Sequence, residues 1–414
     1  MRTALAALLT LLAAPAAAAP GDLDPSFGTG GFARIPINGF ATLATKALVQ
    51  PDGNILIEAQ AAIANAPDVA EIIRLLPNGA IDPSFGTNGV ATFTVAGNYV
   101  DPADMQLQPD GRILLSGTVI LAGQEHPPFH GVVARFTSSG SPDGSFGTGG
   151  EIFLTPLGGN AEDAATVTLV QPDGKILVAD ESFASAQEVL RFESDGSVDK
   201  RFGRNGIGAT DLGQTTAAMG LQDDGKIVVI GQVAARLTAG GKIDFNKKPG
   251  TTIASTSVQA LDGGPPLALQ TNDQYILGTT TGPLQNDIEL QRFSFRNARE
   301  TSFRGPAIDF GHPTTKQNVS QDYAMIIQPD GGIVVTGRYL TAPHQAFGLA
   351  RVLPNGALDK SFGKHGRLTT QCAGRECRAS ALALQPDAKI IAAGTAATAT
   401  YQDSVLAVAR YLGN

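Results

Sequence analysis

The sequence has 414 residues, 43% of them hydrophobic, and 38 acidic against 30 basic side chains give a formal charge of −8. That balance speaks against a nucleic-acid or anionic-membrane partner, either of which would need a basic face. Length alone would suggest two or three domains, but internal repetition makes the mature chain one.

The chain opens with Arg2, an apolar run over residues 4–13, then Pro15 and a string of alanines. This reads as a signal peptide over residues 1–18, cut after Ala18. The run is too short to span a bilayer, and no later segment supplies about 20 apolar residues. A periplasmic or secreted protein without a membrane span is therefore expected.

A first corner follows at once: Gly21-Asp22-Leu23-Asp24-Pro25-Ser26-Phe27-Gly28. After it the chain repeats. Arg, Gly at plus five and an acid at plus eight recur as Arg74…Gly79…Asp82, Arg135…Gly140…Asp143, Arg191…Gly196…Asp199, Arg236…Gly241…Asp244 and Arg351…Gly356…Asp359. Arg292…Glu300 is a weaker copy. Three residues after most of the acids stands a Phe, as in Ser84-Phe85-Gly86. Between these corners lies Gln-Pro-Asp-Gly, beginning at Gln50, Gln108, Gln171 and Gln328, with degenerate copies elsewhere. Pro presets φ, Asp suits the next turn position, and Gly accepts the left-handed region. Ala388 stands in that Gly position, which implies strain or a different turn.

The flanking segments are strands. Ile176-Leu177-Val178 and Ile333-Val334-Val335 are unbroken apolar runs, the pattern of a strand covered on both faces. One repeat reads as four strands, in the first copy about 44–50, 54–60, 70–76 and 89–95. Four-stranded antiparallel units at this period make an all-β, seven-bladed β-propeller. The recurring QPDGKILV…R…DGxxDxSFGxxG resembles the delta-60 repeat, a bacterial propeller family. That resemblance implies the fold and often an exported location, but no activity and no catalytic residue.

The chain ends with Arg410-Tyr411-Leu412-Gly413-Asn414. Counted on into the N-terminal corner, Gly21 falls at plus five from Arg410 and Asp24 at plus eight. The ring should therefore close with the strand after Phe27 completing the last blade beside the C-terminal strand. The recurring Arg–acid pairs, Arg410–Asp24 included, read as structural staples of each corner, and the Phe as a wedge between blades. Cys372 and Cys377, the only cysteines, read as a disulfide in an exported protein. The rival, a pair of metal thiolates, lacks further ligands at suitable spacing.

Function must sit in what does not repeat. The longest loops on the face shared by B–C and D–A connections are read at 61–69, 119–130 and 339–346. His126, Phe129, His130 and His344 fall there, with His312 in a D–A connection. Asp104, Asp163, Asp322, Tyr323 and Arg378 lie near the starts of innermost strands and could ring the channel. No P-loop, dinucleotide fingerprint or GxSxG motif occurs. No cofactor is expected; Ca²⁺ or Zn²⁺ would lack a supporting motif. The preferred reading is a monomeric, non-catalytic binding propeller for a protein or small ligand. The alternatives are a metal-dependent hydrolase or lyase at the channel and a structural cell-surface module.

Overall fold

A computed structural model describes residues 19–36, 40–95, 97–122, 128–154, 163–182, 188–208, 216–231, 234–245, 267–270, 274–281, 287–294, 299–310, 324–341, 344–372, 376–397 and 404–413. All regular elements among them are β-strands. The first, β1 (Phe32–Ile35), belongs to the last blade. Blade one is β2 (Phe40–Val49), β3 (Ile55–Ala62), β4 (Val69–Leu75) and β5 (Val90–Phe93). Blade two is β6 (Tyr99–Leu107), β7 (Ile113–Ile120), β8 (Phe129–Phe136) and β9 (Glu151–Phe153). Blade three is β10 (Asp163–Val170), β11 (Ile176–Ser182), β12 (Glu188–Phe192) and β13 (Ile207–Gly208). Blade four is β14 (Thr216–Leu221), β15 (Ile227–Gly231), β16 (Ala234–Leu237) and β17 (Ile243–Phe245). Blade five has β18 (Leu267–Leu269), β19 (Tyr275–Thr281) and β20 (Asp287–Phe293), and a bridge from Ile288 to Ile308 stands for its fourth strand. Blade six is β21 (Met325–Ile327), β22 (Ile333–Thr341), β23 (His344–Val352) and β24 (Arg367–Thr370). Blade seven is β25 (Glu376–Leu384), β26 (Ile390–Ala397), β27 (Val405–Tyr411) and β1. The molecule is a seven-bladed β-propeller of four-stranded antiparallel blades.

Each blade is sandwiched, which explains its unbroken apolar strands. Ile57 packs with Ile391 and Leu406 of blade seven, while its neighbour Leu56 packs with Met105 and Leu115 of blade two. Alternate side chains thus enter two cores, and neither face of β3 meets water.

The ring closes as the split corner requires. Strand β1 pairs antiparallel with β27, Phe32 opposite Ala409 and Ile35 opposite Leu406. Asp24 N donates to Arg410 O at 2.9 Å and Gly21 N to Leu412 O at 2.9 Å. The intact corner of blade one makes the same bond, from Asp82 N to Arg74 O at 2.9 Å.

The recurring residues do more than hold their own corner. Arg74 Nε donates to Asp82 at 2.8 Å, and its Nη1 crosses to Ser138 O of blade two at 2.7 Å. Arg135 binds Asp143 and reaches Ser194 O of blade three; Arg191 binds Asp199 and Ala239 O of blade four. Arg410 binds Asp24 and Pro77 O of blade one. Arg351 binds Asp359, Gln328 and Asp330. The guanidinium also lies over the corner Phe, 4.4 Å from the Phe202 ring centre in blade three. That Phe presses on the turn glycine of the next blade: a Cβ on Gly140 would stand 2.9 Å from Phe85. The plus-five glycine is therefore needed twice, for its positive φ and for the neighbouring ring.

Two details depart from the sequence reading. The Ala388 turn keeps the usual bonds, Gln385 N to Lys389 O and Ala388 N to Gln385 O, both 2.9 Å, with Ala388 at φ 64°. The strained alternative is the one adopted. Residues 339–346 form no long loop, because β22 and β23 stay paired out to Thr341 and His344. Phe129 and His130 are likewise strand residues, opposite Ile120 and Val119. Turn signals in the sequence mark where strands start better than where an extended hairpin stops.

Candidate functional site

Each blade's first strand touches the first strands of both neighbours, so these seven strands line the axis. Five of them, β2, β6, β10, β14 and β25, carry a β-bulge at the same place, five residues before the turn glutamine. A bulge bends its strand and turns a carbonyl toward the neighbour. The facing position on the second strand, nine residues after the turn glutamine, is Gly117, Gly231, Gly337 and Gly394 in four blades. The reason is steric: a Cβ on Gly117 would lie 2.2 Å from Asp101 O, and one on Gly394 1.8 Å from Arg378 O.

Blades one and five have Ala59 and Thr279 at this position, and blade three has the one charged residue, Asp180. It pairs with Ala165 at the bulge, is 2% exposed, and its Oδ1 has no hydrogen-bond partner. Asp163 opens β10 on the adjoining strand and is 1% exposed. Its Oδ1 accepts the Gly131 N–H of blade two at 2.8 Å. Blade two comes this close because Gly131 has no side chain; a Cβ there would lie 2.8 Å from Ala165 N. Burial, and then the charges of Asp163, Glu188 and Glu181, push the Asp180 carboxyl up to about 7. Burial raises Asp163 as well, while the Gly131 amide and the nearby His130 pull the other way.

One seam away, Glu58 of blade one is fully buried. Thr45 Oγ1 donates to its Oε2 at 2.6 Å, and Oε1 has no hydrogen-bond partner. Burial, helped by the Asp104 and Asp101 charges, pushes its carboxyl up to about 8 against the pull of Thr45 and Lys46. Asp104 stands between the two seams as a tie. It accepts from Lys46 Nζ of blade one at 2.7 Å, from Gln106 Nε2 at 3.1 Å and its neighbour Met105 N at 3.0 Å, and from Thr168 N of blade three at 3.0 Å. One carboxylate so joins three blades.

The expected site residues are thus divided. His130 and Asp163 come together at the seam of blades two and three, and Asp104 lies beside it. Arg378 is on β25 of blade seven opposite Thr395, and His344 opens β23 of blade six. The structure does not join either to Asp163. Phe129 opens β8. His126, His312, Asp322 and Tyr323 lie outside the described residues. Sequence reasoning missed Lys46, Glu58 and Asp180, although aligning the repeats position by position shows each as a misfit. Among the described residues no three His, Cys, Asp or Glu are grouped to hold a metal ion. No helix there is long and apolar enough to cross a membrane. Cys372, after β24, and Cys377, near the start of β25, lie buried at disulfide-bonding distance, Cα atoms 6.0 Å apart.

Solved structures of similar fold have diverse activities. A lectin from Burkholderia pseudomallei is 12% identical, with 91% of this chain and 98% of that one covered and a TM-score of 0.49. A polysaccharide lyase, an ulvan lyase, is 10% identical over 92% and 96% of the two chains, TM-score 0.46. Puromycin hydrolase is 14% identical with a TM-score of 0.45; 87% of this chain is covered, and it spans 51% of that one. At these identities the likeness speaks of the fold alone. No curated protein matches the chain in sequence. A family profile described as a beta-propeller domain of unknown function (DUF5122) matches residues 50–85, 108–146, 171–202 and 328–362. These four segments each run from the turn glutamine to the corner Phe, so the similarity lies in the repeat unit itself.

Proposed function

We propose that the protein is an exported, non-catalytic binding propeller of the delta-60 type, whose ligand meets the B–C/D–A end of the ring at blades two and three. The observation that supports this placement is Asp180, a buried carboxyl with an unpartnered oxygen in a position that four other blades give to glycine. Burying such a group costs stability, and positions that break a repeat at a cost are where function is found. His130, Asp163 and Asp104 are the nearby residues of the expected set, with Phe129 beside His130 on β8; His344 and Arg378 belong to blades six and seven, and His126 and Asp322 lie outside the described residues.

A ligand screen by thermal shift tests the reading, run on the unaltered protein and on His130→Ala with Asp163→Ala. Hits should be lost in the double variant and kept in Asp52→Ala, a change in a turn at the other end. Hits that bind all three proteins alike would refute the placement, and turnover of a hit would refute the non-catalytic assignment.

Export rests on the basic-apolar start of the chain and on the cysteine pair, which suits an oxidising compartment. The intact mass of protein recovered from the periplasm should correspond to a chain starting at Ala19 and two hydrogens lighter than its reduced form. Protein retaining Met1, or two free thiols, would contradict it.

A further inference from the structure

Two buried carboxyls share one seam; His130 lies near Asp163, whereas the charges acting on Asp180 are those of other carboxylates. Asp163 and Asp180 stand near the same end of blade three, Asp163 as the first residue of β10 and Asp180 two residues before the end of β11. Asp163 spends one oxygen on the Gly131 amide, whereas Asp180 Oδ1 has nothing. Glu188 lies directly opposite Asp180 in the β11–β12 register, and Glu181 follows it in sequence. Asp180 therefore faces a further carboxylate, and its Oδ1 receives no hydrogen bond. The buried corner carboxylates of this ring come with their own cation: Asp199 with Arg191 and Lys175, Asp143 with Arg135, Asp24 with Arg410.

We propose that the seam between blades two and three binds a primary ammonium group, held between the Asp163 and Asp180 carboxylates. This rests on the placement proposed above and names the ligand chemistry for it. Three N–H donors suit a site built on two carboxylates, and bringing a charge to a buried carboxyl converts a desolvation cost into a charge-assisted hydrogen bond. The lack of a metal-holding trio among the described residues favours an organic cation over a divalent ion. The raised Asp180 carboxyl fits the same picture: without a cation it holds a proton. An ammonium arriving near neutral pH should release that proton.

The test is calorimetric titration at pH 6.5 with three probes: methylammonium, 1,4-diaminobutane, and a lysine-containing tripeptide blocked at both ends. The first two represent free amines and the third a protein side chain. Binding by at least one is expected, with heat that varies with buffer ionisation as a proton is released. Asp180→Gly is the informative variant, because four blades already fold with glycine at that position. It should fold, melt no lower than the parent, and bind the probe at least about 10-fold more weakly; Asp180→Asn should do the same if it folds. Absence of binding by all three probes, or equal binding by Asp180→Gly, would overturn the proposal. So would a variant that changes only the pH dependence of melting, since Asp180 would then hold a proton and nothing else. If amines fail while other screened ligands still require His130 and Asp163, the inference falls and the placement of the site stands.

Discussion

The Phe27 ring lies against Gly79 across the seam between blades seven and one, so close that a Cβ on Gly79 would stand 2.8 Å from it. Gly53, in the turn of blade one, has nearly the same φ, 85° against 86°, but its nearest obstacle is Pro77 at 3.4 Å. This pair separates backbone strain from the wedge. Gly53→Ala should cost about 1 kcal/mol, from left-handed strain alone. Gly79→Ala should cost about 3 kcal/mol, as overpacking adds to strain. Urea midpoints of the two variants check this; equal losses would mean that the ring yields freely.

The guanidinium clamp makes a different demand. Arg135→Ala leaves buried Asp143 with the more exposed Arg112 as its remaining cation and frees Ser194 O of the next blade. A loss of about 1–3 kcal/mol is expected. Arg135→Lys should recover little, because an ammonium cannot serve acid, carbonyl and serine at once. Thermal melting decides it, and full recovery by lysine would reduce the clamp to a simple charge pair.

Ala388 offers the opposite experiment. It occupies φ 64° where the other well-formed turns use glycine. Ala388→Gly should relieve about 1–2 kcal/mol of strain, less the greater freedom of glycine in the unfolded chain, for a net gain below about 1 kcal/mol. The urea midpoint should rise. A fall would show that the left-handed alanine is compensated by its packing.

Stability should peak in mildly acid solution. Hydrogen bonds from Ser145 and the charge of Arg135 hold Asp143 at about 2, and Asp24 and Asp199 reach about 2 against the opposing effect of burial. Their contribution is present above the ordinary carboxylate pKa and is lost as pH falls toward 2. Glu58 and Asp180 act in the other sense, raised to about 8 and about 7. The folded state keeps protons that the unfolded chain has released, so stability declines as pH rises from about 5 through 8. Melting temperatures measured from pH 3 to 9 should show this dome, and Asp180→Gly should flatten its alkaline side between about pH 5 and 7. A profile still rising at pH 8 would contradict the two raised carboxyls.

The seven blades and the split corner were legible because repetition multiplies weak signals, and the cysteine pair because Cys372 and Cys377 are the only two in the sequence. One Gln-Pro-Asp-Gly is a turn; four at similar spacing are an architecture. The interblade reach of Arg74 or Arg135 was not legible, because spacing within a repeat reveals only the partner eight residues on. The hairpin of β22 and β23 was missed because Tyr339 to Ala346 carries no strong alternation where the strands leave the core. Asp180 and Glu58 were visible as letters, but their meaning depends on a bulged carbonyl and on burial from the next blade. His130 and Asp163 were selected for their chemistry, and the close approach at Gly131 brings them to one seam. Arg378 and His344 were selected in the same way and belong to blades on the other side of the ring.

Strand β1 is made first and used last. It precedes every other strand in sequence, yet its hydrogen-bonding partner β27 follows all the others. Until β27 appears, Phe27 has no Arg410 to lie over it, and the first blade lacks one of its two neighbours. Blades one to six can each assemble from local sequence as they appear, but closure is a single long-range event that waits for the last strand. Between those moments the nascent protein is an open arc with two raw flanks, each a template for pairing with another copy. The interval before closure is therefore the period of greatest exposure to self-association, and its length is set by how fast the remainder of the chain is delivered.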